Sequence, residues 1–249
     1  IERSRDKPFF LYFPHTFPHT PLFASRDFAG KSPRGLYGDV VEEIDWSVGR
    51  LIGKLEELDL ARKTLVVFTS DNGPWLIRGA DGGSAGPLRE GKGSTWEGGM
   101  RVPGIFWWPG MIRPGVVHGI GCTMDLYTTC LKLAGAEVPG DRIVDGLDLT
   151  SALFHGRPSP RDHMIFYRGV EVHAVRRGPF KAHFITRPAY GEGSRKPQRH
   201  DPPLLYQVEH DPGETFNVAP THPEEITAIL KLFQEHEAKL VRGECQLTR

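Results

Sequence analysis

Apolar residues recur at helical spacing across residues 37–58, and the charged residues of this segment fall on the opposite face. The pattern predicts an amphipathic helix that lies on a sheet. Apolar runs at residues 7–13 and 64–69 flank it, and both predict buried strands. Strand, helix and strand in this order indicate a βαβ unit and therefore an α/β fold.

The pattern changes after about residue 160. Short alternating runs separated by turn residues predict an antiparallel meander, and a periodic segment at 223–241 predicts a final amphipathic helix. Between these regions we expect a strand at 102–108 and a helix at 124–134, which Thr123 caps and Gly135 ends. Within the meander we expect an exposed polar loop at 191–203.

Composition narrows the class of protein. The 249 residues are 39% hydrophobic and 25% charged with a formal net charge of zero, as in an ordinary soluble globular protein. No basic field favours nucleic acid, and no apolar run is long enough to span a bilayer. Three cysteines do not form a disulfide framework, and we interpret Cys122 and Cys130 as buried free thiols.

Candidate chemistry lies in loops after the predicted strands. Asp71 and Asn72 follow one strand directly, where their oxygens could bind a hard cation such as Ca²⁺, although the same residues favour a simple turn. Lys92 stands between two glycines and could reach an anion. His15 and His19 lie in a proline-rich loop, where a histidine could handle a proton or be solvated.

Taken together, these segments resemble the sulfatase family of the alkaline phosphatase superfamily, particularly its arylsulfatase A and N-acetylgalactosamine-6-sulfatase branch. The resemblance covers essentially the whole chain. Its landmarks, in order, are PFFLYF, PHTPLFAS, GDVVEEIDWSVGRL, TLVVFTSDNGP, GPLREGKGSTWEGGMRVPGIFWWPG, MDLYTTCLKLAG, DGLDL, FKAHF and PPLLYQVEHDPGE. The stretch from the Asp-Asn pair through Gly-Lys-Gly to EGGMRVP is the most specific.

The resemblance implies a role for each matching residue. Asp71 and Asn72 match two Ca²⁺ ligands, and Lys92 matches the lysine that binds the sulfate group. His19 matches the histidine that contacts sulfate and the leaving oxygen, and His183 matches a histidine at the substrate mouth. The implied reaction is attack on sulfur by a hydroxyl of a formylglycine hydrate, assisted by charge neutralisation from Ca²⁺ and lysine.

Three further residues, Trp96, Glu97 and Arg101, match family landmarks that we interpret as loop scaffolding. His15 has no match, and we interpret it as structural or as part of the rim of the site.

The chain also departs from the family pattern. The formylglycine motif Cys-x-Pro-Ser-Arg is absent, as are the two aspartates, the lysine and the histidine of the family's first half. Cys245 has the spacing to an arginine, but Leu247 stands where Pro or Ala is needed, so we regard this match as coincidence. We expect residues 1–160 to be the C-terminal part of the catalytic α/β domain and 161–249 a small antiparallel β subdomain with a C-terminal helix. Alone, the chain should be inactive.

Several alternatives stay open. A phosphodiesterase or phosphonate hydrolase of the same superfamily, or a catalytically dead sulfatase-like binding module, would share many landmarks. The expected substrate is a sulfated small molecule, glycan or lipid, and the sequence does not choose among them. The resemblance implies an extracytoplasmic location, either bacterial (periplasmic or secreted) or lysosomal in a eukaryote, and an oligomer is possible.

Overall fold

The structure is a computed structural model that describes residues 1–191, 196–241 and 243. Its α-helices are α1 (Gly35–Glu57), α2 (Glu97–Met100), α3 (Met124–Leu133), α4 (Thr150–His155) and α5 (Pro223–Lys239). Its strands are β1 (Val66–Thr69), β2 (Gly104–Trp107), β3 (His163–Arg168), β4 (Glu171–Arg177), β5 (Phe180–Thr186) and β6 (Gln198–Gln207). None of the described helices is long and apolar enough to cross a membrane.

The two predicted strands on either side of the glycine-rich loop form, but they pair with each other. β1 and β2 run antiparallel, with Val66 opposite Trp107 and Thr69 opposite Gly104. The predicted helix across residues 37–58 is confirmed as α1. The structure is therefore mixed α/β, but the predicted βαβ unit is wrong for this chain.

The error lies in residues 7–13, which are not a strand. Phe10 and Tyr12 are 81% and 76% exposed, so the run is not buried either. An apolar segment becomes a strand only where a neighbouring strand accepts its backbone hydrogen bonds and another layer covers its side chains. Within the part of the chain that the structure describes, no strand pairs with this segment.

The C-terminal meander is confirmed as a four-stranded antiparallel sheet in the order β3-β4-β5-β6. Its core joins the sheet to α5 through buried Val175, Ala182, Leu205 and Ile229. All four strands lie after residue 160, but the proposed boundary between two units at that residue remains a prediction.

The predicted exposed loop at 191–203 is wrong in its second half, because β6 already begins at Gln198. Gln198 pairs with Thr186, and the register shifts between His183 and Ile185 before pairing resumes further along β6. Such an irregularity accommodates the two prolines inside β6, which cannot donate to a regular ladder. Residues 192–195 and Cys245 lie outside the described residues.

Helix α3 ends as predicted, because Gly135 adopts a left-handed conformation with φ 71° just beyond it. The predicted side-chain cap by Thr123 is wrong: this residue already has helical dihedral angles, whereas a capping residue is extended. Cys122 and Cys130 are free, as expected, but only half-buried, and burial raises the pKa of both thiols.

Asp125 ties α3 to the following segments. Its buried carboxylate accepts hydrogen bonds from the N–H groups of Cys122 (2.9 Å) and Leu147 (2.8 Å). It also forms an ion pair with Arg161, whose Nε lies 3.1 Å from Oδ2. Burial opposes ionisation, but these hydrogen bonds outweigh it and lower the pKa of Asp125.

We predict that Asp125→Asn lowers the free energy of unfolding by about 3 kcal/mol, because it leaves the charge of the largely buried Arg161 without its partner. Urea denaturation of the intact protein measures the change. The matched control is Asp141→Asn, whose partner Arg142 is 69% exposed, and it should cost less than about 1 kcal/mol. Equal losses in the two variants would contradict the structural importance of the Asp125 pair.

Candidate active site

Asp71 and Asn72 lie in the loop that directly follows β1. The next residue, Gly73, donates its N–H to the carbonyl of Gly99 at 3.1 Å. A Cβ at position 73 would lie 1.8 Å from the carbonyl oxygen of Gly98, so only glycine allows this approach. Asp71 is exposed, and its one described side-chain contact is a 3.5 Å hydrogen bond from Ser70. Its carboxylate is therefore available to a ligand.

Lys92 is held beside the Asp71 loop by its backbone. Its N–H donates to the carbonyl of Pro74 at 2.8 Å. A Cβ at Gly91 would lie 2.4 Å from the same carbonyl oxygen, so the glycine before Lys92 is also required for the approach. The structure thus brings the backbone of Lys92 against Pro74, two residues after Asn72, although some twenty residues of glycine-rich loop separate Asn72 and Lys92 in the sequence.

Trp75 connects this pair of loops with His19. The ring centroids of His19 and Trp75 are 5.5 Å apart, and Lys92 Nζ lies 5.5 Å from the centroid of the Trp75 ring. The guanidinium of Arg78 also lies over this ring, at 4.5 Å. Sequence reasoning missed Trp75, and its position directly after SDNGP is the only signal that could have indicated it. His15 instead contacts Phe13, with ring centroids 4.8 Å apart.

The donor set at the Asp71 loop agrees with Ca²⁺ in kind. A carboxylate and an amide supply hard oxygen donors, without the nitrogen or sulfur that Zn²⁺ prefers. Ca²⁺ needs about 6–8 oxygens, and two residues supply only part of that set. No group of three or more His, Cys, Asp and Glu residues in the described ranges is arranged to hold a metal ion. These residues therefore fit part of a calcium site.

His183 does not join these residues in an open site. Its side chain is fully buried, with the ring 4.1 Å from that of Trp96 and Nε2 2.7 Å from Glu214 Oε1. Burial lowers the pKa of His183 to about 4 despite the opposing effect of Glu214, so the ring is neutral at pH 7. This geometry does not support contact with a substrate, and the role at the substrate mouth stays a prediction.

The buried neighbour of His183 is a cluster of charges centred on Glu97. The carboxylate of Glu97 lies 2.8 Å from Lys181, 2.6 Å from Arg101 and 3.5 Å from Arg176. Burial alone would raise the pKa of Glu97, but these cations lower it to about 2. The backbone N–H of Glu97 donates to Glu214 at 2.7 Å. This arrangement fits the interpretation of the Trp96–Arg101 segment as scaffolding.

Comparisons with known proteins agree with the fold and show the family. The family model described as "Sulfatase" matches residues 1–136, and the one described as "C-terminal region of aryl-sulfatase" matches residues 159–249. The chain belongs to the sulfatase family, as the sequence predicts.

Particular relatives come from the predicted branch. N-acetylgalactosamine-6-sulfatase of Sus scrofa is 42% identical over 269 residues, which cover 99% of this chain and 51% of the relative. Arylsulfatase A of Homo sapiens is 42% identical over 250 residues, which cover 92% and 49%. A crystal structure of a sulfatase from Pseudoalteromonas sp. matches with a TM-score of 0.82 at 31% identity, over 88% of this chain and 46% of that one. The chain spans about half the length of these relatives.

We predict that Glu97→Gln destabilises the intact protein by about 3 kcal/mol at pH 7, because it leaves the buried Lys181 ammonium without its closest carboxylate. Since folding lowers the pKa of Glu97 from 4.5 to about 2, its contribution is fully present above pH 4.5 and is lost as the pH falls toward 2. Urea denaturation at pH 7 and pH 3 should therefore show a smaller difference between variant and wild type at pH 3.

The control for this experiment is Glu57→Gln, because Glu57 pairs with Lys54 at the surface, where its side chain is 63% exposed. This variant should change stability by less than about 1 kcal/mol at either pH. A Glu97→Gln effect of equal size at both pH values would show that lost packing, and not the charge, causes it.

Proposed function

We propose that this chain is part of a sulfuric ester hydrolase that cleaves sulfate monoesters. The observation that supports the proposal most directly is the convergence of His19 and Lys92 on Trp75, a residue of the same loop as Asp71 and Asn72. A cation, a proton donor and a partial metal site are groups that can stabilise the negative charge that develops in the transition state of sulfate transfer. Membership of the sulfatase family gives this arrangement its chemical meaning.

Lys92 neutralises charge on the sulfate oxygens in this proposal, since its ammonium is a compact point charge. His19 donates a proton to the leaving ester oxygen. Its Nδ1 lies 2.8 Å from the carbonyl oxygen of Thr20. Because a carbonyl can only accept, Nδ1 carries a hydrogen and donates a hydrogen bond to that oxygen. In this proposal Nε2 is the atom that delivers the proton to the leaving oxygen.

Asp71 and Asn72 would hold Ca²⁺, whose charge stabilises the sulfate group when it is bound. We assign the remaining ligands and the formylglycine nucleophile to sequence outside these 249 residues, because the relatives are about twice as long. On this assignment the chain alone does not turn over substrate. We also propose an extracytoplasmic enzyme, and a sulfated small molecule, glycan or lipid as its substrate.

In the intact enzyme, we predict that His19→Ala and Lys92→Ala each lower kcat by roughly 10²–10⁴-fold, because each removes a group that acts on the transition state. Hydrolysis of p-nitrophenyl sulfate in the presence of Ca²⁺ measures the rate. The chain of 249 residues, assayed in the same way, should give no turnover above buffer.

His15→Ala is the matched control, since His15 lies in the same loop but contacts Phe13, and it should change kcat little. If His15→Ala proves more damaging than His19→Ala, the assignment of the proton donor is wrong. If the intact wild-type protein binds sulfated ligands but hydrolyses none, the chain belongs to a binding module and not to an enzyme.

We predict that Asp71→Ala lowers both the calcium content and the activity of the intact enzyme, because it removes a negatively charged ligand. Asn72→Ala removes only a neutral oxygen and should lower both by less. Metal analysis and calorimetric titration with Ca²⁺ measure the difference without relying on turnover. Unchanged calcium content in Asp71→Ala would mean that the loop after β1 is only a turn.

A further inference from the structure

Two arginines without acidic partners lie close together at one end of the C-terminal sheet, where β3 and β5 both finish. Arg168 ends β3, and Arg187 directly follows β5. Among the described residues, neither forms an ion pair with a carboxylate. Arg168 donates a hydrogen bond to the carbonyl of Pro188, the residue after Arg187, and both burial and the charge of Arg187 lower the pKa of Arg168. Such a pair is stabilised when an anion lies between them.

The loop that carries Arg187 is fixed to the loop of Lys92. Tyr190 donates its N–H to the carbonyl of Lys92 at 2.9 Å. Its ring occupies the space beside Gly93, where a Cβ would lie 2.5 Å from the ring carbons. The N–H of Ala189 donates to Glu90 at 2.9 Å, which holds the same loop from the other side. The loop that carries Arg187 is therefore held next to the backbone of the proposed sulfate-binding lysine.

Tyr190 presents an aromatic surface between Arg168 and the Gly93 backbone. Its side chain is 51% exposed although the ring packs on Gly93, and the Arg168 guanidinium lies 5.4 Å from the ring centroid. Arg168 is oriented by a hydrogen bond from Nη1 to the carbonyl of Pro188 at 2.7 Å. Exposed tyrosines beside arginines are well suited to ligands that carry both apolar faces and negative charge, as sulfated sugars do.

The acidic side chains near this end of the sheet already have other partners. Glu90 accepts the N–H of Ala189, and Glu171 pairs with Arg199 at 2.5 Å. Glu90 does raise the pKa of Arg168, but burial and Arg187 outweigh it. The local charge at this end of the sheet is therefore positive, although the formal net charge of the whole chain is zero.

We propose that Arg168, Arg187 and Tyr190 form a rim beside Lys92 that binds a second anionic group of a polyanionic glycan substrate. The rim selects among substrates of the sulfatase reaction and takes no part in the chemical step. It rests on the proposed function, and it narrows the substrate class from any sulfate ester to a glycan that carries a further sulfate or carboxylate. The Tyr190 ring packs against the sugar that joins the two anionic groups.

The test compares two substrates in the intact enzyme. One is p-nitrophenyl sulfate, which has no second anionic group, and the other is a chondroitin sulfate tetrasaccharide, which carries carboxylates and further sulfates. Arg187→Gln should lower kcat/KM for the tetrasaccharide by about 10-fold, mainly through KM, and leave the aryl sulfate unchanged. Raising the ionic strength should shrink the difference, because the rim is exposed. Arg113→Gln, an exposed arginine in the loop after β2, makes the same change of charge and should alter neither substrate.

Binding separates failure of the rim from failure of the proposed function. In the Lys92→Ala background, calorimetric titration with the tetrasaccharide should show about 10-fold weaker binding when Arg187→Gln is added. Carboxyl reduction of the tetrasaccharide should reduce this difference if the second group is a carboxylate and leave it unchanged if it is a sulfate. Equal effects of Arg187→Gln and Arg113→Gln on binding would overturn the rim, whether or not the wild-type enzyme is active. An intact protein that binds through the rim but hydrolyses neither substrate would overturn only the proposed function.

Discussion

The buried ion pair between Glu97 and Lys181 is the interaction on which the geometry of the candidate site depends. The two residues are 84 positions apart, and their 2.8 Å contact joins the end of the glycine-rich loop to β5. Burying two charges is costly, and it is tolerated only when each charge is matched and hydrogen-bonded. Arg176 and Arg101 provide further matching charge for Glu97. The start of the helix that follows Lys92 therefore has one stable position against the sheet.

Glu214 fixes the same helix from a third region of the chain. Its carboxylate accepts the N–H of Glu97, while Arg89 donates to its backbone carbonyl at 2.8 Å. The guanidinium of Arg89 also lies 3.8 Å from the centroid of the Trp96 ring, and the same ring packs against His183. Residues before and after Lys92 are thus anchored to the segment after β6 that contains Glu214. The sheet after residue 160 is in this way part of the support of the loops that carry the candidate site.

Sequence reasoning succeeded where local periodicity decides the structure. Helix α1 and the meander follow from apolar spacing, because the core faces of these elements alternate with exposed ones. It failed at residues 7–13, where an apolar run needs partner strands that periodicity does not reveal. It also failed at Thr123, since capping depends on the dihedral angles of one residue and not on its type.

The same distinction applies to the candidate site. The residue types and the motif order indicated Asp71, Asn72, Lys92 and His19, and the structure places their loops together. Trp75 could not be singled out, because its importance comes only from the rings and cations that fold onto it. The burial of His183 was not foreseen for a similar reason: a histidine on a strand can face either layer, and only the contacts with Trp96 and Glu214 show which one.

The close approach at Gly73 has a consequence for how natural variants of such a chain are interpreted. Residue 73 has no side chain with which to perform chemistry, yet any larger residue there would collide with the Gly98 carbonyl and push the Asp71 loop away from α2. A harmful substitution at this position would report the spacing between this loop and the helix and not the loss of a reacting group. Genetic sensitivity alone would therefore place Gly73 in the same class as the candidate metal ligands Asp71 and Asn72, and only the geometry separates them.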